Sequence, residues 1–284
     1  MKSKLLMIQG TSSGAGKSLM VTALCRIISN KGYKVSPFKS QNMSSIIFNI
    51  DKTGKIIAQA QAIQAIGARK HPDVRMNPIL LKPIGNYESE VYLCGNFYSK
   101  MTALQYYTNF VLDPGFELVL NTFKSLRKEN DIIVMEGAGS PAEINILKYD
   151  IANMLLAKKV KSPVVLVSDI ERGGCFASIM GTIALLKPKY RNLIKGILIN
   201  KFLGDEHILT PAIKKIEAKI QKPFLGIIPK IEHSIPAEDS LDGQKNKNIN
   251  HIENLEWINK EINKVSKIIE SAIDIDYILK KIVK

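Results

Sequence analysis

The sequence LLMIQGTSSGAGKS, which occupies residues 5–18, passes from a short apolar run into a turn rich in glycine and serine. The next segment, Leu19–Ser29, repeats its apolar residues at helical spacing, so the predicted order is strand, glycine-rich turn, helix. Backbone N–H groups of such a turn bind phosphate oxygens, a Lys reaches the terminal phosphates, and a Ser can ligate Mg²⁺. We therefore predict a nucleoside triphosphate site made of Thr11, Gly14, Ala15, Gly16, Lys17 and Ser18.

The spacing within this turn departs from the most common phosphate-binding loop. The segment Thr11–Ala15 separates Gly10 from Gly16, and the common loop has one residue fewer between these glycines. A chance glycine-rich turn is the alternative interpretation. The Gly-Lys-Ser triplet opens a helix directly after the first strand, and this favours the phosphate site.

Short runs of β-branched and aliphatic residues recur along the chain and end in polar residues. They are Lys34–Phe38, Ile132–Met135, Val164–Ser168, Gly196–Asn200 and Phe224–Ile228. Because these runs do not alternate with polar residues and helical segments separate them, they predict a parallel sheet covered on both faces. We expect a doubly wound α/β fold with a mostly parallel sheet, in which ligands bind outside the carboxyl ends of the strands.

Several polar residues at these strand ends are candidates for chemistry. Glu136 follows a buried-type strand, and its carboxylate suits Mg²⁺, which is usually held by one or two carboxylates together with phosphate oxygens. Lys39 follows the second strand and is expected at the same edge. Asp169 and Arg172 lie in a glycine-containing turn that suits either an anion or a plain turn. Asn200 is a candidate for reading a nucleotide base, and it is also an ordinary turn former.

The remaining segments predict further elements. Gly54–Arg69 and Thr102–Lys128 have helical composition, the second with a break at Asp113–Gly115. Val91–Cys94 is predicted to be a short strand. Lys82 would point to the ligand edge if the strands run as predicted, and it is a surface lysine otherwise.

The end of the chain differs from the rest in composition. Asp242–Asn250 is polar and is predicted to be a loop. Apolar residues then recur at three- and four-residue steps over Ile252–Ile269, which predicts an amphipathic helix. Its apolar face is expected to cover either the body of this chain or another protein.

Composition narrows the class of protein. The 284 residues carry 40 Lys and Arg against 26 Asp and Glu, a net charge of +14, and this length suits one large α/β domain or two small ones. The basic residues stand singly, so a lysine-rich surface is expected, an anionic small-molecule substrate is the second interpretation, and no nucleic-acid partner is expected. The apolar runs are too short for a membrane span or secretory signal, which predicts a cytoplasmic protein without a membrane partner. Cys25, Cys94 and Cys175 lie too far apart to indicate disulfides or a metal site.

Six segments of the chain share the motifs of a known family. They are Gly10–Ser18, Pro37–Met43, Met76–Pro83, Glu136–Asn145, Asp150–Met154 and Asp169–Gly174. Together they closely resemble the cobyric acid synthase family over about residues 5–241. The resemblance implies a synthetase domain at 1–241, similar to dethiobiotin synthetase and its longer phosphate-binding loop, followed by the polar loop and helical tail at 242–284.

The resemblance also implies an activity, which is ATP-dependent amidation of corrin carboxylates in cobalamin biosynthesis. A side-chain carboxylate of adenosylcobyrinic acid a,c-diamide would attack the γ-phosphate of ATP, and ammonia would displace phosphate from the acyl phosphate to yield cobyric acid. The residues implied in catalysis are Lys17, Lys39 and Arg172, with Mg²⁺ on Ser18 and Glu136 and adenine on Asn200. The residues implied at the corrin substrate are Gln41, Asn42, Asn77, Lys82, Glu143, Asn145 and Asp169.

Two departures from the family bear on these implications. Family members continue into a glutaminase domain with a nucleophilic Cys, which this sequence lacks. The nitrogen would then come from a separate glutaminase subunit or from free ammonia, or the chain is a truncated or degenerate copy. The related dethiobiotin enzyme holds Mg²⁺ with a further Asp early in the second helix, roughly where this chain has Gln61. The oligomeric state stays open, with a homodimer as one alternative.

Other functions of the same fold compete with this interpretation. Dethiobiotin synthetase and cobyrinic acid a,c-diamide synthase are the nearest alternatives, and the segment Ser140–Asn145 argues against both. A ParA/MinD-like partitioning ATPase carries a Lys near the start of its phosphate-binding loop, where this chain has Thr11. A non-catalytic scaffold is disfavoured by the intact Gly16–Ser18 triplet.

Overall fold

The computed structural model describes residues 3–50, 54–236 and 254–283. The strands are β1 (Lys4–Gly10), β2 (Val35–Phe38), β3 (Gln41–Met43), β4 (Ile47–Asn49), β5 (Ile56–Ala58), β6 (Ile79–Gly85), β7 (Glu88–Leu93), β8 (Asn96–Thr102), β9 (Ile132–Glu136), β10 (Val164–Asp169), β11 (Ile194–Phe202) and β12 (Phe224–Pro229). The α-helices are α1 (Lys17–Asn30), α2 (Gln59–Gly67), α3 (Ala103–Asn109), α4 (Phe116–Glu129), α5 (Met154–Val160), α6 (Cys175–Leu185), α7 (Pro188–Arg191), α8 (Thr210–Ile220), α9 (Leu255–Ala272) and α10 (Ile275–Tyr277).

The central sheet contains six strands in the order β12-β11-β10-β1-β9-β2. Every neighbouring pair in it is parallel, which confirms the predicted doubly wound α/β fold. Strand β1 lies between β9 and β10, with Ile8 in register with Glu136 and Gly10 in register with Val167. The carboxyl ends of these strands therefore meet at one edge, and the glycine-rich turn and the predicted polar residues follow from that edge.

Separate sets of helices cover the two faces of this sheet, as the alternation along β1 shows. Leu6 and Ile8 pack in a core that includes α1 and α9, whereas Leu5 and Met7 pack in a core that includes α4, α5 and α6. All four side chains are buried. Because both faces of the sheet are shielded from water at β1, this strand is apolar throughout. This explains why its sequence does not alternate between apolar and polar residues.

A second sheet, which the sequence pattern does not predict as a unit, has the order β3-β6-β7-β8. Strands β3 and β6 are parallel, and the remaining pairs are antiparallel. The predicted strand Val91–Cys94 is part of the longer β7, whose residues are mostly exposed or half-buried. Lys82 lies in β6 of this second sheet and not in the parallel sheet.

The structure also corrects one helix boundary and confirms another. The prediction of helix over Gly54–Arg69 is wrong at its start, because β5 pairs antiparallel with β4 and α2 begins only at Gln59. The prediction over Thr102–Lys128 is confirmed together with its break at Asp113–Gly115, since α3 ends before that segment and α4 begins after it.

The predicted amphipathic helix near the end of the chain is α9. The apolar residues on its inner side are buried together with side chains of α1: Ile258, Ile262, Val265 and Ile269. The helix therefore covers the body of its own chain. The loop predicted at Asp242–Asn250 and the predicted domain boundary after residue 241 lie outside the described residues. Within the described ranges, none of the helices combines the length and the apolar character needed to cross a membrane.

Arg26 on α1 ties α9 to α2. Its side chain is fully buried and donates to the carbonyl oxygens of Ile66 at 2.8 Å and Gly67 at 2.9 Å. It also donates to the side-chain oxygens of Asn259 at 2.5 Å and Asn263 at 2.6 Å. Burial lowers the pKa of Arg26 to about 10. These four acceptors are neutral oxygens, so hydrogen bonds rather than an opposite charge stabilise the buried guanidinium. Because two of the acceptors lie on α9 and two on α2, these bonds hold α9 against the domain.

We expect Arg26→Ala to lower the free energy of unfolding by about 3 kcal/mol, because each hydrogen bond to a buried charge contributes about 1.5–3 kcal/mol and the remaining acceptors lose their donor. Urea denaturation measures this change. Lys267→Ala, at an exposed position of α9, is the matched control and is expected to change stability by less than about 0.5 kcal/mol. Equal losses in the two variants would contradict the role given to Arg26.

Candidate functional site

The turn between β1 and α1 depends on glycine conformations and on the neighbouring strands. Gly14 and Gly16 have φ angles of +71° and +94°, a region that glycine adopts without strain. A Cβ atom on Gly16 would meet Nδ2 of Asn200 at 2.1 Å. The Thr11 N–H donates to the carbonyl of Val167 at 2.9 Å. The turn is therefore shaped by β10 and β11 as well as by its own strand.

Two residues at the end of β11 and one at the end of β10 support this turn. Asn200 is buried, and its Nδ2 donates to the carbonyl of Ala15 at 2.9 Å. Lys201 donates from Nζ to the carbonyl of Gly14 at 2.8 Å and to Oδ2 of Asp169 at 2.7 Å. Both Asn200 and Asp169, which the sequence analysis singled out, thus act on the turn, and Asp169 does so through Lys201.

Lys17 connects the turn to the loop that follows β9. Its side chain is buried, and Nζ donates to the carbonyl of Ser12 at 3.0 Å and to the carbonyl of Gly139 at 3.1 Å. The ammonium group therefore lies between two loops, at the start of α1, where the helix dipole also favours negative charge. This position suits a phosphate group, as the sequence predicts.

Glu136 is the centre of the site. Its side chain is fully buried, and Oε1 accepts hydrogen bonds from Ser18 Oγ at 2.8 Å and from Lys39 Nζ at 2.8 Å. Its Oε2 accepts from Nε2 of Gln64. A carboxylate without water is stable only when donors and an opposite charge surround it. Lys39 is also buried, so the two residues form a buried ion pair at the carboxyl end of β9.

The oxygen atoms at this position fit Mg²⁺ as ligands. Ser18 Oγ and Glu136 Oε1 are hard oxygen atoms 2.8 Å apart, next to the phosphate-binding turn. In the part of the chain that the structure describes, no group of three or more His, Cys, Asp or Glu residues could hold a metal ion. A magnesium ion here would need phosphate oxygens or water to complete its shell, which is how Mg²⁺ is usually bound in proteins.

The sequence pattern did not single out Gln64. Gln61 roughly replaces the further Asp of the related dethiobiotin enzyme, but its Oε1 accepts from Asn42 Nδ2 at 2.8 Å. The contact to Glu136 comes instead from Gln64, three residues later on the same face of α2. Nε2 of Gln61 and Oε1 of Gln64 are buried without a hydrogen-bond partner among the residues that the structure describes. A pair of glutamines at this spacing, on a helix next to a predicted metal site, is the signal that would have found Gln64.

A cleft of about 360 Å³ opens beside the glycine-rich turn. Its volume falls in the range of small-molecule sites. One side is formed by the turn and by the start of α1, and another by the end of β12 and the segment after it. Residues that border it include Gly16, Ser18, Asn200, Lys201, Lys230 and Ile235. The cleft therefore continues from the predicted phosphate site along the ends of β11 and β12.

Two of the predicted substrate residues hold the segment around Lys39 in place. Nδ2 of Asn77 donates to the carbonyl of Lys39 at 3.1 Å and to the carbonyl of Ile79 at 2.9 Å. Oε1 of Gln41 accepts from the Tyr106 hydroxyl at 2.7 Å. Asn77 thus links β6 to the residue that pairs with the buried carboxylate, and Gln41 links the same segment to α3.

The other predicted residues are not packed into this buried centre. Lys82 is half-buried on the second sheet, and its Nζ lies 3.4 Å from Oε2 of Glu90. Arg172, in the turn after β10, is exposed. Glu143 and Asn145 are exposed in the loop after β9.

Asn153, another residue that the sequence analysis did not single out, holds the loop next to Glu136. Its Nδ2 donates to the carbonyl of Ala138 at 2.6 Å, and its backbone N–H donates to Oδ1 of Asp150 at 2.9 Å. A Cβ atom on Gly137 would meet Oδ1 of Asn153 at 2.1 Å. Burial raises the pKa of Asp150 to about 7, although the hydrogen bonds from Asn153 act in the opposite direction. The loop after β9 is therefore held, through Asn153, by the carboxyl group of Asp150, whose pKa is near neutral pH.

Comparisons with known proteins identify the family of this chain. Residues 6–241 match the family described as CbiA, CobQ/CobB/MinD/ParA nucleotide binding domain. The probable cobyric acid synthase of Thermococcus kodakarensis is 50% identical over 238 residues, which are 84% of this chain and 49% of that protein. The cobyric acid synthase of Thermodesulfovibrio yellowstonii is 51% identical over 239 residues, 84% of this chain and 48% of that protein. These matches confirm the resemblance, and the chain spans about half the length of these relatives.

Among solved structures, the signal recognition particle receptor FtsY from Elizabethkingia anophelis superposes with a TM-score of 0.48 at 13% sequence identity. The superposition covers 92% of this chain and 66% of that chain.

Gly14→Ala and Gly16→Ala form a matched pair of variants. Both positions have positive φ, so an alanine costs about 1 kcal/mol or slightly more at each. Only at Gly16 does the new methyl group meet another residue, Asn200. We expect Gly16→Ala to lower the free energy of unfolding by about 2 kcal/mol more than Gly14→Ala, measured by urea denaturation. Equal losses would contradict the close contact with Asn200.

Asp150 predicts a pH dependence of stability. Its pKa is about 7 in the folded protein, and an unfolded Asp has a pKa of about 3.9. Between these values the folded chain keeps a proton that the unfolded chain releases, so the free energy of unfolding falls as pH rises. Asp150→Asn keeps an oxygen that accepts the same hydrogen bonds, and we expect it to flatten this slope in urea denaturation between about pH 4 and about pH 7. An unchanged slope would show that another group is responsible.

Proposed function

This chain belongs to the family of CobQ/CobB/MinD/ParA nucleotide binding domains, and from that premise we propose that it is the ATP-dependent synthetase part of a cobyric acid synthase. The proposed reaction is amidation of corrin carboxylates in cobalamin biosynthesis, from adenosylcobyrinic acid a,c-diamide to cobyric acid. The observation that carries the proposal is the buried Glu136, which accepts from Ser18, Lys39 and Gln64 beside the glycine-rich turn.

The proposed reaction has two steps. An oxygen of the substrate carboxylate forms a bond to the γ-phosphorus of ATP while the bond from that phosphorus to the ADP oxygen breaks. The nitrogen of ammonia then bonds to the carbonyl carbon of the acyl phosphate, phosphate leaves with the electron pair of the carbon–oxygen bond, and the nitrogen loses a proton. Positive groups fixed around the phosphoryl group lower the barrier of the first step, commonly by about 3–4 kcal/mol each.

Lys17 and Lys39 are the cations proposed for this role. Lys17 is held by the carbonyls of Ser12 and Gly139, and Lys39 is held by Glu136. Because both ammonium groups are buried, they are oriented before a substrate binds and act in a medium of low dielectric constant. Arg172, exposed in the turn after β10, is proposed to add a third positive charge at the reacting groups.

Ser18 and Glu136 are proposed to hold Mg²⁺, which when bound neutralises negative charge on the phosphates. The structure supports this assignment because the two oxygen atoms lie together at the start of α1. Gln64 and Lys39 then fix the orientation of the Glu136 carboxylate from its other sides.

The segment Thr11–Ser18 is proposed to bind the triphosphate of ATP, with the nucleoside in the adjoining cleft of about 360 Å³. Asn200 borders that cleft, and its Nδ2 donates a hydrogen bond to the carbonyl oxygen of Ala15. Its Oδ1 is therefore the atom that we propose accepts a hydrogen bond from the amino group of adenine. Lys201 and Asp169 support the same turn from the side.

The acid substrate is proposed to bind where the segment after β2 meets the loop after β9. Gln41, Asn42 and Asn77 would position Lys39 and its neighbours, since all three are hydrogen-bonded within this region. Glu143 and Asn145 are exposed and are proposed to meet the polar groups at the edge of the corrin. We also propose that residues 1–241 form the synthetase unit and that nitrogen arrives as ammonia, either free or from a glutaminase.

An activity assay tests this proposal. The purified chain is incubated with ATP, Mg²⁺, adenosylcobyrinic acid a,c-diamide and ammonium, and mass spectrometry detects conversion of carboxylates to amides. We expect conversion by the unmodified chain and a rate at least about 100-fold lower for Lys17→Ala, because a positive group at the transferring phosphoryl is lost. Lys159→Ala, at an exposed position of α5, is the control and is expected to keep the full rate.

The same assay with glutamine in place of ammonium separates the nitrogen sources. Conversion with ammonium alone would support a synthetase that takes free ammonia. Undiminished conversion by Lys17→Ala, or no affinity of the unmodified chain for ATP with Mg²⁺, would refute the proposed function.

A further inference from the structure

An apolar cleft between the second sheet and α3 is separate from the buried centre of the site. It encloses about 250 Å³. On the sheet it is bordered by residues that face each other across β6, β7 and β8, where Leu81 pairs with Val91 and Ser89 pairs with Met101. On the helix side it is bordered by Tyr106 and Tyr107. The surface is thus formed mainly by aliphatic and aromatic side chains, which is typical of a ligand site.

This cleft is connected to Lys39 through a short segment of chain. Met43 borders the cleft and comes four residues after Lys39. A fully extended chain spans about 3.6 Å per residue, so the two positions are at most about 14 Å apart. The hydroxyl of Tyr106, which also borders the cleft, donates to Gln41 at 2.7 Å within the same segment. The cleft therefore lies one short stretch of chain away from the buried ion pair of Lys39 and Glu136.

A ring contact connects one residue of the cleft to the segment that follows β9. The ring of Tyr107 lies 5.7 Å from the ring of Tyr149, and Tyr149 comes soon after the exposed residues Glu143 and Asn145. The segment after β2 and the segment after β9 therefore each contact a tyrosine that borders this cleft.

The rim of the cleft carries exposed aromatic and apolar side chains beside one exposed carboxylate, that of Glu88. Tyr87 is 95% exposed and Met43 is 50% exposed, and both border the cleft. Exposed apolar groups next to an apolar cleft are typical of a binding surface. The opposite face of the same sheet is different, because Lys82 is in register with Glu90 and Glu90 with Lys100. The face that borders the cleft is therefore better suited to an apolar ligand than this charged row on the opposite face.

We propose that this cleft binds the apolar edge of the corrin ring, so that the ring's carboxylates project toward Lys39 and Glu136. The inference rests on the proposed function and names the place where its acid substrate binds. A corrin is a broad ring that carries methyl groups on its faces and acid or amide side chains around it, so it needs apolar support next to a polar reaction centre. The cleft receives one edge, and the rest of the ring lies over Tyr87 and Met43. Lys82 then faces away from the ring.

Two tryptophan variants on opposite faces of one hairpin test this placement. Ser89→Trp fills the cleft, and Lys100→Trp adds the same bulk to the exposed opposite face. The probe is adenosylcobyrinic acid a,c-diamide, whose binding is measured by equilibrium dialysis with visible absorbance. We expect Ser89→Trp to weaken its affinity by about tenfold or more, and Lys100→Trp to change it by less than about twofold. The affinity for ATP with Mg²⁺ is expected to stay unchanged in both variants.

A second pair of variants keeps the test independent of folding. Tyr87→Ala removes a ring that is almost fully exposed, and Phe97→Ala removes an exposed ring that packs against Tyr92 away from the cleft. We expect only Tyr87→Ala to weaken corrin binding. Unchanged corrin affinity in both Tyr87→Ala and a folded Ser89→Trp would overturn the placement while leaving the proposed function intact.

Two further outcomes would also overturn the inference. Failure of the unmodified chain to bind the corrin acid would refute the proposed function and this placement together. A dimer in sedimentation experiments that Ser89→Trp dissociates would assign the cleft to a second copy of the chain instead of to the corrin.

Discussion

The buried ion pair between Glu136 and Lys39 is the constraint on which the rest of the site depends. A charged group without water is stable only when an opposite charge and hydrogen bonds replace its hydration. Here those groups come from four parts of the fold, since Ser18 opens α1, Gln64 lies on α2, Lys39 follows β2 and Glu136 ends β9. The parallel sheet and its covering helices must therefore keep fixed relative positions for this carboxylate to remain satisfied.

The loops around the ion pair are fixed to one another by polar side chains. Lys17 joins the glycine-rich turn to the loop after β9, and Asn200 joins the turn to β11. Asn153 fixes the loop after β9 from its other side. Hydrogen-bonded networks of this kind restrict the number of conformations that the loops can adopt, and this orients donors before a ligand binds. The same network explains why Gly16 and Gly137 leave no room for a side chain.

The parts of the fold that the sequence predicted share one property, which is a strong local pattern. The strands of the central sheet are dry on both faces, so their composition is apolar throughout, and the glycine-rich turn has a short motif with a known geometry. The second sheet escaped prediction because its strands, such as β7, are largely exposed or half-buried and have mixed composition. The start of α2 was misplaced because Ile56–Ala58 pairs with β4 rather than continuing the helix.

The sequence by itself determined the class of fold, the phosphate-binding turn, and the residues Lys17, Ser18, Lys39 and Glu136 as candidates at one sheet edge. Only the tertiary structure decided which groups share the buried carboxylate, because Lys39 and Glu136 are 97 residues apart in the chain and Gln64 and Glu136 are 72 apart. It also decided that Lys82 belongs to the second sheet and that α9 covers its own chain. A strong local pattern predicts backbone conformation, whereas the pairing of buried charges follows from packing between distant segments, which no local pattern records.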